Sequence, residues 1–464
     1  MKRMIHPSPR PGRTGSSPLA LFGGPRAVTK APGDLFTWPI VTREDEAATL
    51  DCLRRREMSG TSITMEFERE FAAWMGVKHA LGSNNGTSSL LSAFFGVGIG
   101  AGDEIICTST TIFSSALPVF TLGGTVVFAD IDPHTLCIDP NDIERHISKR
   151  TKAIVVVHYL GHPADMRAIM PIARRHGLKV IEDVSHAQGG AYRGRRLGTF
   201  GDVACYSLMT AKSFAIGEAG MLTTNDREIY ERAVAFGHYE RYQAAAMRTP
   251  YLRPWAGLPL GGFKYRMHQM SSAMGRVQLR HYDRRAAEIR RAMNYFWDCL
   301  EGAPGLRAHR VDEKTGSTMG GWYGAHGLYR SEELHGLSVT RFCEAVRAEG
   351  VADAHPGCNK PLHTHPVFND VDIYREGKPT RLAHSDRDLR QSMDSLPVAS
   401  RIGQEVYFIP WFKHFRSKLI VQYADAYRKV AENARALLDG DPGNPPNLGG
   451  WGFFKAVGER KGKP

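Results

Sequence analysis

The sequence predicts an α/β protein whose mostly parallel sheet is covered by helices on both faces. Helical or loop segments separate a series of short strand-like runs, and this β-α-β rhythm favours parallel strands. We therefore expect a three-layer α/β/α large domain with a mixed, mostly parallel sheet, followed by a smaller α/β C-terminal domain. The runs are rich in Val and Ile without strict alternation, as in strands buried on both sides: EIICTS, TVVFAD, AIVVVH, KVIEDV, DVACYSL and GMLTTN.

Several other segments have the apolar spacing of helices. Residues 46–57 and 64–75 are two such segments, and DMRAIMPIARRHG is a third, which ends at a glycine typical of a helix C-cap. Residues 275–300 have the length of a long connecting helix. A second domain should follow it, with a strand at GLYRS, a helix over 339–350 and a closing helix over 419–438.

These elements divide the chain into four parts. We expect a basic, flexible N-terminal arm over 1–35, a large domain over 36–285, a small C-terminal domain over 286–440, and a tail rich in Gly, Pro and Lys over 441–464. Residues 1–33 contain six Lys and Arg residues and no acidic residue, amid Pro, Gly and Ser. That composition is typical of a poorly ordered segment.

Composition argues against several classes of protein. No apolar run of the 464 residues approaches the roughly 20 needed to cross a bilayer, and the N-terminus lacks the apolar stretch of a secretory signal. We therefore expect a cytoplasmic protein without a membrane partner. The 7 cysteines are scattered and never paired as C-x-x-C, which indicates neither a disulfide framework nor a zinc site. A net charge of +12 does not by itself indicate a nucleic-acid partner, and none is expected.

Two ionisable residues follow predicted strands. Asp183 ends KVIEDV, at the carboxyl end of a parallel strand, where α/β sheets bind ligands. Without further context, a turn or N-cap role would be the better interpretation of this aspartate. Lys212 follows DVACYSLM, among apolar and hydroxyl-bearing residues. Such surroundings lower the pKa of an amine, so that its neutral form can attack an aldehyde.

A third feature is the loop SNNGTSS at 83–89, directly before the helix-like LLSAFFGVG. Backbone N–H groups at a helix N-terminus bind phosphate, although most such loops are plain turns. Pyridoxal 5′-phosphate (PLP) needs a lysine, an acid against its pyridine nitrogen, a flat contact on its ring and an anion cradle. The loop, the carboxylate and the lysine together therefore favour a PLP site.

The stretch from IEDVSHAQGG to GEAGMLTTND resembles the signature of the DegT-type sugar aminotransferases, a branch of the aspartate-aminotransferase-like, fold type I PLP enzymes. The resemblance implies a PLP-dependent transferase fold and a PLP-dependent aminotransferase (transaminase). Supporting segments occur in the family's order over about residues 40–412: NGTSSL, GAGDEIICTSTTIFSSA, VVFADIDPHTLCIDP, HYLGHPADM, GGFKYRMHQMSSAMGRVQL, CNKPLHTHPVF and LPVASRIGQEVYFIPWF.

The resemblance also implies roles for single residues. Lys212 would be the lysine that forms the Schiff base and moves the proton, Asp183 the partner of the pyridinium nitrogen, and His186 the contact of the phenolic oxygen. Gln188 is a lesser candidate for the same pocket. Four further residues are implied on the phosphate side: Gly86, Thr87, Ser88 and Ser207.

The chain departs from the family pattern at three places. Where the family usually has an aromatic on the open face of the ring, this chain has Ile112 followed by Phe113, so either an aliphatic cover or a shifted register is expected. Lys264 replaces an Asn that reaches the phosphate of the neighbouring subunit, which a lysine can also do as a point charge. The resemblance thus implies a homodimer with shared active sites, in which Lys264 and His268 act in trans. Ala219 in GEAG is a minor change.

The expected reaction moves an amino group from L-glutamate or L-glutamine to a keto group of a nucleotide-linked sugar or a ketocyclitol, in amino-sugar or aminocyclitol biosynthesis. In related PLP-dependent sugar dehydratases a histidine replaces the lysine, so Lys212 argues against that alternative. A PLP-binding regulator without turnover is a second alternative. The opening SPLALFGGPRAV and the pair Trp38-Pro39 resemble family members that act on cyclitols or make aminated antibiotic precursors.

Three histidines in the C-terminal domain are candidate metal ligands. His355, His363 and His365 lie close together in the sequence but outside any recognised ligand spacing. The matching family segment lines the substrate entrance. We therefore expect no metal site.

Overall fold

A seven-stranded sheet forms the centre of the molecule, in a computed structural model that describes residues 18–446 and 448–450. The strands are β1 (His79–Ser83), β2 (Glu104–Thr108), β3 (Thr125–Ala129), β4 (Thr151–Val157), β5 (Lys179–Asp183), β6 (Ala191–Tyr192), β7 (Arg195–Arg196), β8 (Val203–Ser207), β9 (Gly220–Thr224), β10 (Leu306–Ala308), β11 (His326–Tyr329) and β12 (Val406–Phe408). The helices are α1 (Arg43–Arg54), α2 (Ser62–Met75), α3 (Gly86–Gly96), α4 (Pro140–Arg145), α5 (Met166–His176), α6 (Arg227–Gly237), α7 (Gln269–Cys299), α8 (Val339–Ala348), α9 (Pro366–Asn369), α10 (Pro397–Arg401) and α11 (Ser417–Glu432).

The strands of the large sheet lie in the order β1-β9-β8-β5-β4-β2-β3, and β9 is antiparallel to both of its neighbours. All six predicted runs form strands, so the expected mixed, mostly parallel sheet is confirmed. The edge strand β1 was not predicted, because HALGS contains none of the β-branched or aromatic residues typical of strands. Its antiparallel pairing with β9 supplies the strand structure that local propensity does not.

Helices cover both faces of this sheet. Successive strand residues point to opposite faces, and here they join two different apolar clusters. Cys205 and Leu222 pack in the cluster that includes residues of α3, α5 and α6. Ala204 and Met221 pack in the cluster that includes residues of α2 and α7. The expected three-layer arrangement is thereby confirmed.

The predicted helices are present with shifted ends. The segment predicted over 46–57 is α1, the segment over 64–75 is α2, and DMRAIMPIARRHG forms α5 with Gly177 as its left-handed C-cap. The long helix α7 begins at Gln269, six residues before the predicted start. Its first side chain accepts a hydrogen bond from the backbone N–H of Ile63 (2.8 Å), which links α7 to the start of α2.

The C-terminal part of the chain forms a second core around a small antiparallel sheet, β10-β11-β12, with α8 and α11. Helix α7 reaches both cores, because Tyr282 packs in the first and Ile289 in the second. The predicted boundary at 285/286 falls between these two residues and stays a prediction. Leu362 and Phe368, which follow that boundary, pack in the first core.

The N-terminal arm was expected to be flexible. Its described part, residues 18–35, instead packs against this second core. Leu19 and Leu35 are fully buried there. The carboxylate of Glu349, after α8, accepts hydrogen bonds from the backbone N–H groups of Ala20 (2.8 Å) and Ala27 (3.0 Å). The hydrogen-bond acceptor that holds this segment thus comes from far along the chain, which local composition does not show. The first 17 residues and most of the predicted tail lie outside the described residues.

None of the helices within the described ranges combines the length and the apolar character that a bilayer span requires.

Candidate active site

A cavity of about 490 Å³ lies at the carboxyl ends of the parallel strands β5 and β8. This is the sheet edge at which α/β proteins bind ligands. Seven residues singled out in the sequence line it: Gly86, Thr87, Ile112, Asp183, His186, Ser207 and Lys212. Residues from distant segments complete the lining, among them Tyr323, His326, Asn359 and Phe408.

Lys212 lies in the loop after β8, with its side chain buried in the cavity wall. Its backbone N–H donates to the carbonyl of Met209 (2.8 Å), and its own carbonyl accepts from the indole N–H of Trp38 (2.9 Å). Burial lowers the pKa of the amine from 10.5 to about 8, against the opposing effect of the Asp183 carboxylate. About a tenth of Lys212 is therefore the neutral nucleophile at pH 7, far more than for an ordinary lysine.

Asp183 ends β5 and is also buried. The hydroxyl of Ser115 donates to its Oδ2 (2.7 Å), and the backbone N–H of Ser185 donates to its Oδ1 (3.1 Å). Two donors on different oxygens hold the carboxylate in one orientation. A fixed carboxylate at this place suits a partner for a protonated ring nitrogen.

His186 is a neutral imidazole in the wall of the same cavity. The backbone N–H of Leu160 donates to its Nδ1 (3.3 Å), so the proton of the neutral ring is assigned to Nε2. Burial is the main reason why its pKa lies well below the usual value, and the charge of Lys212 adds to the effect. The ring can thus donate a hydrogen bond to an oxygen without carrying a charge.

The N-terminus of α3 forms the predicted anion cradle. The side chain of Asn85 caps the helix by accepting from the backbone N–H of Ser88 (2.8 Å). Gly86 and Thr87 line the cavity, where the first N–H groups of the helix have no intrahelical acceptor. A Cβ on Gly86 would lie 2.9 Å from the Cβ of Ser207, so only glycine allows this close approach between helix and strand. Ser88 does not line the cavity.

The structure separates the two candidates for the ring cover. Ile112 lines the cavity. Phe113 is turned away and buried, with its ring 4.9 Å from that of His365 and 6.0 Å from that of Phe368. The geometry thus corresponds to the aliphatic cover and not to the shifted register.

Gln188 does not line the cavity but forms hydrogen bonds with residues that neighbour or line it. Its Nε2 donates to the carbonyls of Ser185 (3.1 Å) and Ser207 (2.7 Å), and its Oε1 accepts from the hydroxyl of Ser213 (2.6 Å). The fully buried side chain therefore ties the residue after Lys212 to the ends of β5 and β8. This links the positions of Asp183, Ser207 and Lys212 to one another.

Lys264 and His268 do not line the cavity of their own chain; both are exposed. Lys264 pairs with His238 through an isolated β-bridge, and its ammonium lies 6.0 Å from the ring centre of Tyr239. Of the three histidines considered as ligands, His363 is buried, with a pKa lowered to about 4. Over the part of the chain that the structure describes, no group of three or more His, Cys, Asp or Glu residues could hold a metal ion.

The residues around the cavity fit PLP. A desolvated lysine, a fixed carboxylate and a neutral imidazole donor lie in one cavity with a helix N-terminus whose glycine packs closely against Ser207. Ile112, in the same lining, is an apolar side chain that could contact the ring.

Comparison with known proteins agrees with this geometry. Residues 39–407 match the DegT/DnrJ/EryC1/StrS aminotransferase family. The chain belongs to this family. It is a PLP-dependent aminotransferase of the fold type I architecture.

Individual members of the family cover most of the chain. GDP-perosamine synthase from Caulobacter vibrioides is 39% identical over 343 residues, which are 72% of this chain and 88% of that enzyme. The L-glutamine:2-deoxy-scyllo-inosose aminotransferase from Streptoalloteichus tenebrarius is 32% identical, over 71% of this chain and 80% of its own length. The X-ray structure of an aminotransferase from Psychrobacter cryohalolentis is 28% identical, with a TM-score of 0.74 over 86% of this chain and all of that one.

Sequence reasoning missed the wall of the cavity opposite the sheet. Tyr323 lies in the loop before β11, His326 begins that strand, Phe408 ends β12, and Asn359 lies between these strands in the sequence. Two of them had a signal, because Asn359 lies in CNKPLHTHPVF and Phe408 lies in LPVASRIGQEVYFIPWF, both segments of the family resemblance. Tyr323 and His326 lie at or near a short strand of the second sheet, whose pairing a single sequence does not reveal.

Proposed function

We propose that this aminotransferase takes an amino group from L-glutamine or L-glutamate and transfers it to a keto group on a polyhydroxylated ring, either a keto sugar or a ketocyclitol. The observation that carries the proposal is the buried amine of Lys212 beside the fixed carboxylate of Asp183, in a cavity with the N-terminus of α3. Bound PLP supplies an aldehyde and an electron-withdrawing ring that stabilises negative charge on the substrate carbon.

Each of the proposed catalytic residues has a separate task. Lys212 would hold PLP through its aldehyde carbon, with release of water, and its Nζ, once free and neutral, would carry a proton from the donor carbon to that carbon. Asp183 would keep the pyridine nitrogen protonated, and the Nε2–H of His186 would donate to the phenolic oxygen. Gly86, Thr87 and Ser207 would bind the phosphate.

The two alternative functions receive less support. A dehydratase of this family would have a histidine in place of Lys212, and the lysine is present and buried in the cavity. A PLP-binding regulator has no need of an amine whose pKa is lowered to about 8. Such an amine is instead suited to proton transfer near neutral pH.

The charge of the cavity favours an uncharged acceptor. Among its lining residues within the described ranges, Lys212 is the only Lys or Arg, while Glu218 adds a carboxylate. A nucleoside diphosphate would need cations that this lining does not offer. We therefore propose a ketocyclitol as the first acceptor class. A nucleotide-linked keto sugar is the second, because GDP-perosamine synthase is 39% identical.

The proposed function can be tested by measuring the donor and acceptor half-reactions separately. Purified enzyme is treated with L-glutamine or L-glutamate until the absorbance of bound PLP is lost, and the excess donor is removed. A panel of ketocyclitols and nucleotide-linked keto sugars is then added, and recovery of the absorbance identifies the acceptor class. Loss of absorbance without recovery by any keto compound would contradict the proposal.

We also propose a homodimer in which Lys264 reaches the phosphate bound by the partner subunit. The segment before Lys264 exposes several large apolar side chains, as expected of a subunit interface: Tyr239, Tyr251, Trp255, Leu258 and Leu260. The lack of a second cation in the lining of the cavity also fits a residue supplied in trans.

Mixing two inactive variants tests the shared site. In a hybrid of the Lys212→Ala and Lys264→Ala chains, one of the two sites regains both lysines. Refolding an equal mixture should therefore recover about a quarter of the native sites, whereas each variant alone stays impaired. No recovery from a mixture that sediments as a dimer would argue against donation in trans.

A location in the cytoplasm stays part of this proposal. All seven cysteines are free thiols, and six of them are buried, as suits a reducing compartment. The absence of a nucleic-acid partner likewise stays a prediction.

A further inference from the structure

Aromatic side chains hold Lys212 from the side opposite the sheet. The Nζ atom of Lys212 lies 3.9 Å from the ring centre of Tyr323, and the lysine is only 8% exposed. Tyr323 comes from the loop before β11, and no motif that supported the family assignment includes it. The amine of Lys212 thus contacts the face of an aromatic ring, Tyr323, that lies more than 100 residues away in the sequence.

The ring of Tyr323 is held in place by its own neighbours. The ring of His186 lies 4.5 Å from it, and the indole of Trp411 meets it edge-on at 5.7 Å. The indole N–H of Trp411 donates to the carbonyl of Gly321 (2.9 Å), two residues before Tyr323. These contacts fix the orientation that the ring presents to Lys212.

The backbone of Lys212 is held by the same group of aromatic residues. The indole of Trp38 donates its N–H to the Lys212 carbonyl, and its ring lies 6.0 Å from that of Trp411. Both ends of the lysine residue are therefore positioned, the carbonyl by Trp38 and the amine by Tyr323.

An aromatic face attracts an ammonium group through the negative potential of the ring, and more strongly where water is excluded. The other ionisable groups near Lys212 are few. Among the described residues that line the cavity, Asp183 attracts its charge, burial keeps both His186 and His326 neutral, and Glu218 lies exposed. Tyr323 is thus the face on which a protonated Lys212 can rest while Asp183 is engaged with the cofactor.

We propose that Tyr323 is a positioning residue, which receives the protonated amine of Lys212 whenever the lysine is free of the cofactor. The proposal rests on the function of Lys212 proposed above. The amine would take one proton from the substrate carbon, hold it as an ammonium against the ring, and deliver it to the former aldehyde carbon of the cofactor, so that no oxidant, reductant or further reactant is needed. The ring keeps the lysine within reach for its return to the cofactor.

Two substitutions at Tyr323 separate the role of the ring from that of apolar burial. Tyr323→Phe keeps the aromatic face, and Tyr323→Leu keeps an apolar side chain without it. The pKa of Lys212 is measured in the full-length protein freed of PLP, by competitive acetylation at a series of pH values and peptide mass spectrometry. Loss of the ring removes an interaction with the charged form, so the Leu variant should have a Lys212 pKa lower by about one pH unit.

The expected and contrary results are distinct. Tyr323→Phe should keep the native pKa of Lys212, and Tyr323→Leu should also shift the pH profile of kcat in the same direction. A pKa that is unchanged or raised in the Leu variant would overturn the proposal. If the Leu variant does not fold, as judged by circular dichroism, Tyr323→Met provides a second variant without the ring. If native Lys212 fails to bind PLP at all, the proposed function fails instead.

Discussion

The two walls of the active-site cavity differ in how the chain builds them. The sheet wall consists of Gly86, Asp183, Ser207 and Lys212, which lie at the ends of strands or at the start of a helix. The C-terminal wall consists of Tyr323, His326, Asn359 and Phe408.

The residues of the sheet wall lie at positions that the topology of a parallel sheet fixes, because strand ends meet at one edge. The C-terminal wall depends instead on contacts between segments far apart in sequence. Asn359, for example, is brought to the cavity by a β-bridge between Pro356 and Tyr407 of β12, beside a hydrogen bond from the Gly357 N–H to the Val406 carbonyl (2.9 Å). The sheet wall therefore carries the proposed catalytic residues. We expect the C-terminal wall to determine which substrates bind.

The strongest test of this comparison is removal of the lysine from the sheet wall. Lys212→Ala should lower turnover at least about a thousandfold, because the proton acceptor and the covalent attachment of PLP are both lost. Conversion of bound PLP by L-glutamine, followed by absorbance, measures the effect. Lys152→Ala, at an exposed lysine of β4, is the matched control and should keep native turnover. Native-like turnover of the Lys212 variant would contradict the assignment.

The pH dependence of PLP binding tests the same wall without a substitution. Burial lowers the pKa of Lys212 from 10.5 to about 8, so the neutral amine is scarce below that pH and predominant above it. The rate at which PLP-free protein binds PLP should rise about tenfold per pH unit up to about pH 8 and then level off. Stopped-flow absorbance measures this rate. A rate that still rises near pH 10 would show that the amine is not desolvated.

Gly86→Ala tests the anion cradle of the sheet wall. The new Cβ would lie 2.9 Å from the Cβ and 3.0 Å from the Cα of Ser207, which forces the helix away from the strand. Overpacking of this kind costs about 1–3 kcal/mol, so PLP affinity should fall roughly ten- to a hundredfold. Equilibrium dialysis of PLP measures it. Gly100→Ala, where the added Cβ has one neighbour at 3.9 Å, should leave the affinity unchanged.

The smallest expected effect concerns the C-terminal wall. The hydroxyl of Tyr159 donates to Oδ1 of Asn359 (2.6 Å), which leaves Nδ2 as the donor available to a substrate oxygen. Asn359→Leu should lower kcat/KM for the keto acceptor about tenfold, the value of one hydrogen bond, and leave the donor half-reaction unchanged. Tyr159→Phe should reproduce part of this loss. An equal loss of kcat/KM in the donor and acceptor half-reactions would contradict a separate role of the C-terminal wall in acceptor binding.

The sequence predicted those parts of the fold and site that depend on short-range patterns. Asp183, His186, Ser207 and Lys212 lie at short offsets around two buried strands, and the structure brings all of them into one cavity. Phe113 could not be separated from Ile112, because the direction of a side chain after a strand depends on the aromatic cluster that receives it.

Two other features, the packing of residues 18–35 and the surroundings of Lys264, could not be predicted from the sequence. The packing of residues 18–35 was missed because their partner, Glu349, lies more than 300 residues away. Lys264 is exposed within its own chain, so its proposed role depends on a second copy of the chain.

Trp38 gives the first part of the chain a share in the active site. The residues before it are tied to the second core, and its indole N–H reaches the carbonyl of Lys212. Trp38 and Trp411, from an early and a late segment of the chain, therefore meet behind the lysine. A chimera that exchanges substrate preference between relatives should accordingly transplant both segments together, even though Asp183 and Lys212 lie between them in the sequence.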